Sequence, residues 1–383
     1  MSIKVPQTTA PKAAYIHVPF CSHRCGYCNF TLIAGRDDLI EAYLTALERE
    51  LSLLETPRPV ETLFIGGGTP THLPPAELRR LLAIVRRWFS LAAGGEFSIE
   101  ANPFGFDEDR VKILAEYGVT RLSLGAQSFD AGKLKLLERD HTPAEIARSV
   151  ELARRRLASV SLDLIFGTPG ETLAVWRRDL ASALELAPDH ISTYGLTFER
   201  GTTFWSRLTH GRLARLDEES ERAMYAEAID ALGAAGFEHY EVSNFARPGH
   251  RCRHNEIYWA AEEYYAAGPG AARYLAGRRE TNHRSTTTWL KRVLAGQSPV
   301  AESETLSPED KAREALVLAL RRMEGVGRRE FAARTGFEID ALVGRELLRF
   351  VELGLLCDQA GRVRLTREGL FVSDAIWPAF LRR

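Results

Sequence analysis

Between residues 13 and 196, short apolar runs alternate with longer stretches in which apolar positions recur every three to four residues. The short runs, at 15–18, 62–65, 96–100, 121–125, 159–166 and 190–196, predict buried strands. Between them, residues 39–54 place Tyr43, Leu44, Leu47 and Leu51 on one helical stripe, and residues 74–89, 108–117, 144–157 and 173–186 also predict helices. Pro74 and Pro75 open the second helix where prolines are favoured, and Gly118 closes the third. Short apolar strands joined by amphipathic helices predict an α/β protein whose parallel sheet is covered by helices. Six such units suit a barrel or an open doubly wound sheet, and periodicity alone does not choose between them.

Beyond the sixth strand the pattern changes. Residues 218–236 predict a helix and 237–242 a strand. Residues 243–274 read as irregular, aromatic and rich in His and Arg, and 277–298 as a basic loop. Ser307, Pro308, Glu309 and Asp310 form a helix start. Helices over 311–323, 328–335 and 339–353, two short strands and a last helix over 368–376 predict a small C-terminal helical, winged-helix-like domain. The expected division is a polar lead at 1–12, a strand–helix core at 13–240, a distinct segment at 241–300 and the C-terminal domain at 301–383.

Composition narrows the function classes. A net charge of −1 removes the electrostatic case for binding nucleic acid or an anionic membrane. No apolar run is long enough to span a bilayer, and the polar, proline-broken lead lacks the apolar centre of a signal peptide. Unpaired cysteine spacing fits a reducing compartment, so the cytoplasm is the expected location.

Three of the five cysteines, Cys21, Cys25 and Cys28, fall on one short stretch directly after the first strand. Three thiolates there can hold three irons of a [4Fe–4S] cluster and leave the fourth open to another ligand. A zinc loop or a set of buried apolar thiols is the alternative, but the second Cys/His pair that zinc loops carry is missing from this stretch. Cys-x-x-x-Cys-x-Tyr-Cys after Tyr15-Ile16-His17-Val18-Pro19-Phe20 resembles the cluster motif of radical S-adenosylmethionine (SAM) proteins. The surrounding sequence resembles the branch that holds oxygen-independent coproporphyrinogen III oxidase and the heme chaperones.

The resemblance implies a partial (β/α)6 TIM-like barrel, with a [4Fe–4S] cluster ligated by Cys21, Cys25 and Cys28 and SAM bound beside it. Chemistry in such barrels gathers at the carboxyl ends of strands, near which Cys21, Gly67, Glu100, Gln127, Asp163 and Thr197 fall. Gly67, Gly68 and Thr69 match the glycine-rich motif, whose bare backbone lets the methionine end of SAM approach. Tyr27 is implied beside the adenine, with Tyr15 on the cofactor side. Glu100, Gln127, Arg139, Asp163 and Thr197 complete the implied pocket. On the residues alone, Arg139 and Asp163 suit a structural ion pair equally well.

His254-Asn255-x-x-Tyr258-Trp259 is similar to the motif of heme chaperones, which implies His254 as a heme ligand ahead of His250 and Cys252. Without that likeness His254 would read as a hydrogen-bonded loop histidine. Phe30 stands where the oxidase has a further cysteine, and the lead is shorter than the oxidase's; both argue against coproporphyrinogen decarboxylation. The resemblance therefore implies transfer of heme to acceptor proteins, with an electron donor for the cluster and no assigned catalytic residue. A radical SAM enzyme acting on a porphyrin-type substrate is the alternative, and a binding module with a vestigial cluster is the third reading.

Overall fold

The computed structural model describes residues 10–381. Most of the expected polar lead, residues 1–9, lies outside the described residues. Six strands run parallel in chain order: β1 Ala13–Val18, β2 Arg58–Gly67, β3 Phe89–Ala101, β4 Arg121–Gln127, β5 Ser159–Phe166 and β6 His190–Gly195. Helices Ile40–Ser52, Pro75–Trp88, Glu108–Glu116, Pro143–Arg154 and Leu173–Glu185 return the chain on the outside. Local chemistry fixes their ends. Asp107 and Thr172 accept from backbone N–H groups at helix starts, and Thr142 with Glu145 closes a full capping box behind Pro143.

Alternation along each strand separates two environments, because successive side chains point to opposite faces. Ile16, Val18, Leu63, Ile65, Phe97, Ile99, Leu122, Leu124, Val160, Leu162 and Ile191 are buried in one core with the helices. The other face is polar or aromatic. Tyr15, His17, Phe64, Glu100, Arg121, Ser123, Ser161, Asp163, His190, Ser192 and Tyr194 line cavities of the lumen. Six parallel strands with helices outside and a polar inward face form an α/β barrel, and the linear strand order leaves it partial.

Past the barrel the structure departs from the sequence expectation. Residues 243–274 are ordered: β8 Asn244–Ala246, the helix Arg253–Trp259 and β9 Tyr264–Ala267, with β7 Glu238–Glu241 just before. The expected basic loop holds β11 Arg278–Asn282 and the helix Thr286–Leu294, flanked by β10 Ala272–Leu275 and β12 Val300–Thr305. All of these strands join the barrel sheet, in the order β12-β11-β10-β9-β1-β2-β3-β4-β5-β6-β8-β7. Residues 241–300 thus extend both ends of one sheet. The strands are three to six residues long and mostly antiparallel, too short and too charged to show a period.

Buried Glu50 fastens this extension to the first helix by accepting from the Gly268 N–H at 3.0 Å, Asn282 Nδ2 at 2.7 Å and Trp289 Nε1 at 3.0 Å. The C-terminal unit has its own core around Leu316, Phe331, Phe350 and Trp377. It contains the helices Pro308–Leu320, Arg328–Thr335 and Ile339–Glu352 and a three-stranded sheet. The single terminal helix expected is two, Arg367–Phe371 and Ser373–Phe380, broken at Val372.

The turn after β4 is anchored by a buried ion triad. Lys133 Nζ lies 2.6 Å from Glu171 and 2.9 Å from Asp179, and Asp179 also accepts from Ser128 Oγ and the Phe129 N–H. Replacing Lys133 leaves two carboxylates without their cation inside the protein. Lys133→Ala is expected to cost about 3–5 kcal/mol, read as a lowered denaturation midpoint; an unchanged midpoint contradicts this role.

Candidate functional site

After β1 the chain makes a short parallel pairing, Phe20–Cys21 with Ile33–Ala34, so Cys21 ends a strand and the intervening loop carries Cys25 and Cys28. The loop is tightly held. The Cys28 N–H donates to Cys25 O at 3.0 Å, and Arg24 donates to Leu32 O at 2.6 Å. His17 Nε2 lies 2.6 Å from Thr31 O. Cys21, Cys25 and Cys28 carry free thiols and line one cavity of about 400 Å³ at the carboxyl end of the strands. Among the described residues no three His, Cys, Asp or Glu side chains converge on a point where a single metal ion would sit. Ligands of a cubane each bind their own iron and so stand farther apart than the ligands of a single zinc ion. Burial pushes the Cys21 thiol up to about 11, against a 3.4 Å hydrogen bond with Thr69 Oγ1. A metal must displace its proton.

The glycine run earns its place by close approach. A Cβ on Gly67, whose φ is +115°, would lie 2.6 Å from the His17 ring. One on Gly68 would lie 2.6 Å from Phe20 O and 3.1 Å from Cys21 Sγ. The bare backbone therefore lets the end of β2 lie against the cysteine loop, with the Gly68 N–H bonded to Val18 O and the Thr69 N–H to Phe20 O.

Tyr27, Gly67, Gly68, Thr69, Glu100, Gln127, Arg139, Asp163 and Thr197 line the same cavity as the cysteines. Glu100 accepts the Gly67 N–H at 2.9 Å. Burial, reinforced by nearby Asp163, pushes its pKa up to about 8. Burial also raises Asp163, which accepts from Ser123 Oγ at 3.0 Å. Arg139 donates to Gly125 O at 3.0 Å and to Cys25 Sγ at 3.5 Å, and its buried Nε has no partner. Arg139 and Asp163 thus bind other groups and do not form the ion pair that was the alternative for them. Tyr27 packs edge-on against Phe204, and Gln127 takes a φ of +64° at the end of β4.

Tyr15 and His254 are not in that cavity. They line an adjoining one of about 240 Å³ with His17, Phe64, Asn255 and Tyr258, and the two share Phe30, Gly67 and Glu100. His254 is buried on a helix rather than in a loop, with Nδ1 3.0 Å from Thr62 Oγ1 and Nε2 2.8 Å from Tyr258 Oη. Burial lowers its pKa to about 3, so the imidazole is neutral. Glu96 of β3 holds this helix by accepting the N–H groups of Arg253 at 3.0 Å and His254 at 3.1 Å. Trp259 instead faces the C-terminal unit, where Arg321 lies over its ring.

A supporting network escaped the sequence reading. Asp140 accepts from Ser22 Oγ and Asn102 Nδ2, and His141 bonds Asn102 and Ala126 O. The available signal was position: Asn102 follows Glu100 by two, and Asp140 and His141 follow Arg139 directly.

A model of the Radical SAM superfamily matches residues 15–182, and one of the HemN C-terminal domain matches residues 306–372. The heme chaperone HemW of Bacillus subtilis is 35% identical, over 97% of this chain and 99% of its own. That of Mycobacterium tuberculosis is 37% identical over 97% and 95%. The chain belongs to the HemW family of radical SAM proteins. The coproporphyrinogen III oxidase HemN of Escherichia coli shares the fold, with a TM-score of 0.86 at 23% identity over 97% of this chain and 90% of that one.

Membership of the radical SAM superfamily implies a [4Fe–4S] cluster and SAM, and the residues here fit both. Cys21, Cys25 and Cys28 would hold the cluster, and the Gly67–Thr69 backbone, Glu100 and the partnerless Arg139 Nε offer polar groups to SAM. Bound together, such a pair supplies one-electron reductive chemistry at a carbon–sulfur bond.

Two outcomes follow from this geometry. Cys25→Ala leaves two thiolates, so iron content after anaerobic reconstitution is expected to fall to background; full iron would refute the ligand set. For Glu100, the folded pKa of about 8 lies above the ordinary 4.5. Taken alone, it therefore contributes stability below pH 4.5 that is lost as pH rises through 8. A permanently charged sulfonium favours the ionised carboxylate, so SAM binding is expected to tighten by up to about tenfold per pH unit towards pH 8. Glu100→Gln should flatten that profile, and a steep profile in the variant rules the assignment out.

Proposed function

We propose that this protein carries heme as cargo and hands it to acceptor proteins, with the cluster and SAM bound beside the cargo site. Support comes first from likeness to heme chaperones named HemW along almost the whole chain. The observation that carries the reading is the buried neutral imidazole of His254, set in a largely apolar cavity that adjoins the cofactor cavity. A neutral ring nitrogen is the form that ligates iron, and Tyr15, Phe64 and Tyr258 supply flat walls. Acceptor apoproteins and an electron donor for the cluster are the partners in this reading, and a reducing cytoplasm suits the free cysteines.

A second reading, a radical SAM enzyme acting on a porphyrin-type substrate, draws on the complete cysteine trio and the open cavity beside Glu100 and Asp163. One experiment separates the two. Anaerobically reconstituted protein is titrated with heme, and in parallel given coproporphyrinogen, SAM and dithionite. The chaperone reading expects a heme Soret band that is lost in His254→Ala, with coproporphyrinogen unchanged. Consumption of coproporphyrinogen would establish the enzyme reading instead.

A further inference from the structure

We infer that the Tyr258 hydroxyl caps the one His254 lone pair able to ligate iron, so that heme binds only as this hydroxyl swings away. The inference rests on the heme reading above.

A neutral imidazole has one N–H and one lone pair. His254 and Tyr258 are four residues apart on the helix Arg253–Trp259, which brings Tyr258 Oη to 2.8 Å from Nε2. At neutral pH a phenol holds its proton, so Tyr258 can donate to Nε2. The imidazole proton then sits on Nδ1 and is given to Thr62 Oγ1, 3.0 Å away. That arrangement is what a ligating histidine needs on its far side, a fixed N–H acceptor that sets the tautomer. Its near side, however, is closed by a hydroxyl from its own helix. Space agrees with the bond. The cavity of about 240 Å³ falls below the range of roughly 300–1,000 Å³ that holds drug-sized ligands, so a ligand confined to it would have to displace part of the wall. Tyr258 forms that wall together with Phe30, which is 61% exposed.

In the exchange the O–H···N hydrogen bond breaks and an N–Fe bond forms. The phenol keeps its proton, and no electron moves. Tyr258 is a positioning residue in this scheme: it bonds the ligating nitrogen in the empty site and holds the ring in the reactive tautomer.

The test is titration of the full, cluster-reconstituted chain with hemin, followed by Soret absorbance. Tyr258→Phe keeps the ring packed on Tyr264 and removes only the hydroxyl, so hemin is expected to bind up to about tenfold tighter. His254→Ala should abolish the band in wild-type and Tyr258→Phe backgrounds alike. Thr62→Val retains the cap but removes the Nδ1 acceptor, and is expected to weaken binding; this arm decides if Tyr258→Phe does not fold. Unchanged or weaker binding by folded Tyr258→Phe, with the His254 dependence intact, overturns the cap and leaves the heme reading standing. A band that survives His254→Ala, or is lost in His17→Ala alone, overturns the choice of His254 and the cap with it.

Discussion

A barrel lumen lined by hydrogen-bonding groups is stable only if those groups find partners, and that requirement organises this protein. Glu100, Arg121, Asp163 and His190 are carried inward on strands whose alternate residues build an apolar core. Left unpaired, each would cost free energy. Some pair within the sheet, as Asp163 does with Ser123. Others reach chain that arrives late in the sequence: His190 bonds Ser161 and Tyr240, and Arg121 donates to His250 O. The helix Arg253–Trp259 completes the arrangement by inserting His254 between Thr62 and Phe64, with Glu96 at its amino end.

The same logic explains the position of the two cavities. Glycines at the end of β2 bring the cysteine loop and the glycine-rich turn into contact, leaving a wide mouth above Glu100. Below and beside it, the helix carrying His254 stops short of filling the lumen and leaves the smaller cavity. Glu100, Gly67 and Phe30 line both, so a charged group bound in one cavity alters the field felt in the other.

Much of this was legible in the sequence where the signal is local. The six barrel strands and their helices follow from period, caps and prolines, and the cysteine trio from spacing. The fold class then follows from the family resemblance. What escaped depends on distance along the chain. Thr62 and His254 are 192 residues apart, and nothing near either says that they bond. Asn282 and Trp289 belong to segments that look polar and loop-like until Glu50 supplies their acceptor. Tyr15 was expected on the cofactor side, but the inward face of β1 is shared by two cavities, and period alone does not tell which one a residue meets.

Arg321, whose guanidinium lies over Trp259, bears on where this chain can be divided. The family model for the C-terminal part begins at residue 306, which invites a cut there. Yet Arg321, just beyond the first helix of that part, is the cation for Glu241 on the barrel side, at 2.7 Å, and Glu241 has no exposed surface. The Val242 N–H donates to Arg321 O, and the Met323 N–H to Tyr240 O. Trimming the chain at the boundary of sequence similarity would strand a desolvated anion and open the end of the sheet. The two parts match separate family models, yet a buried ion pair and two backbone hydrogen bonds join them.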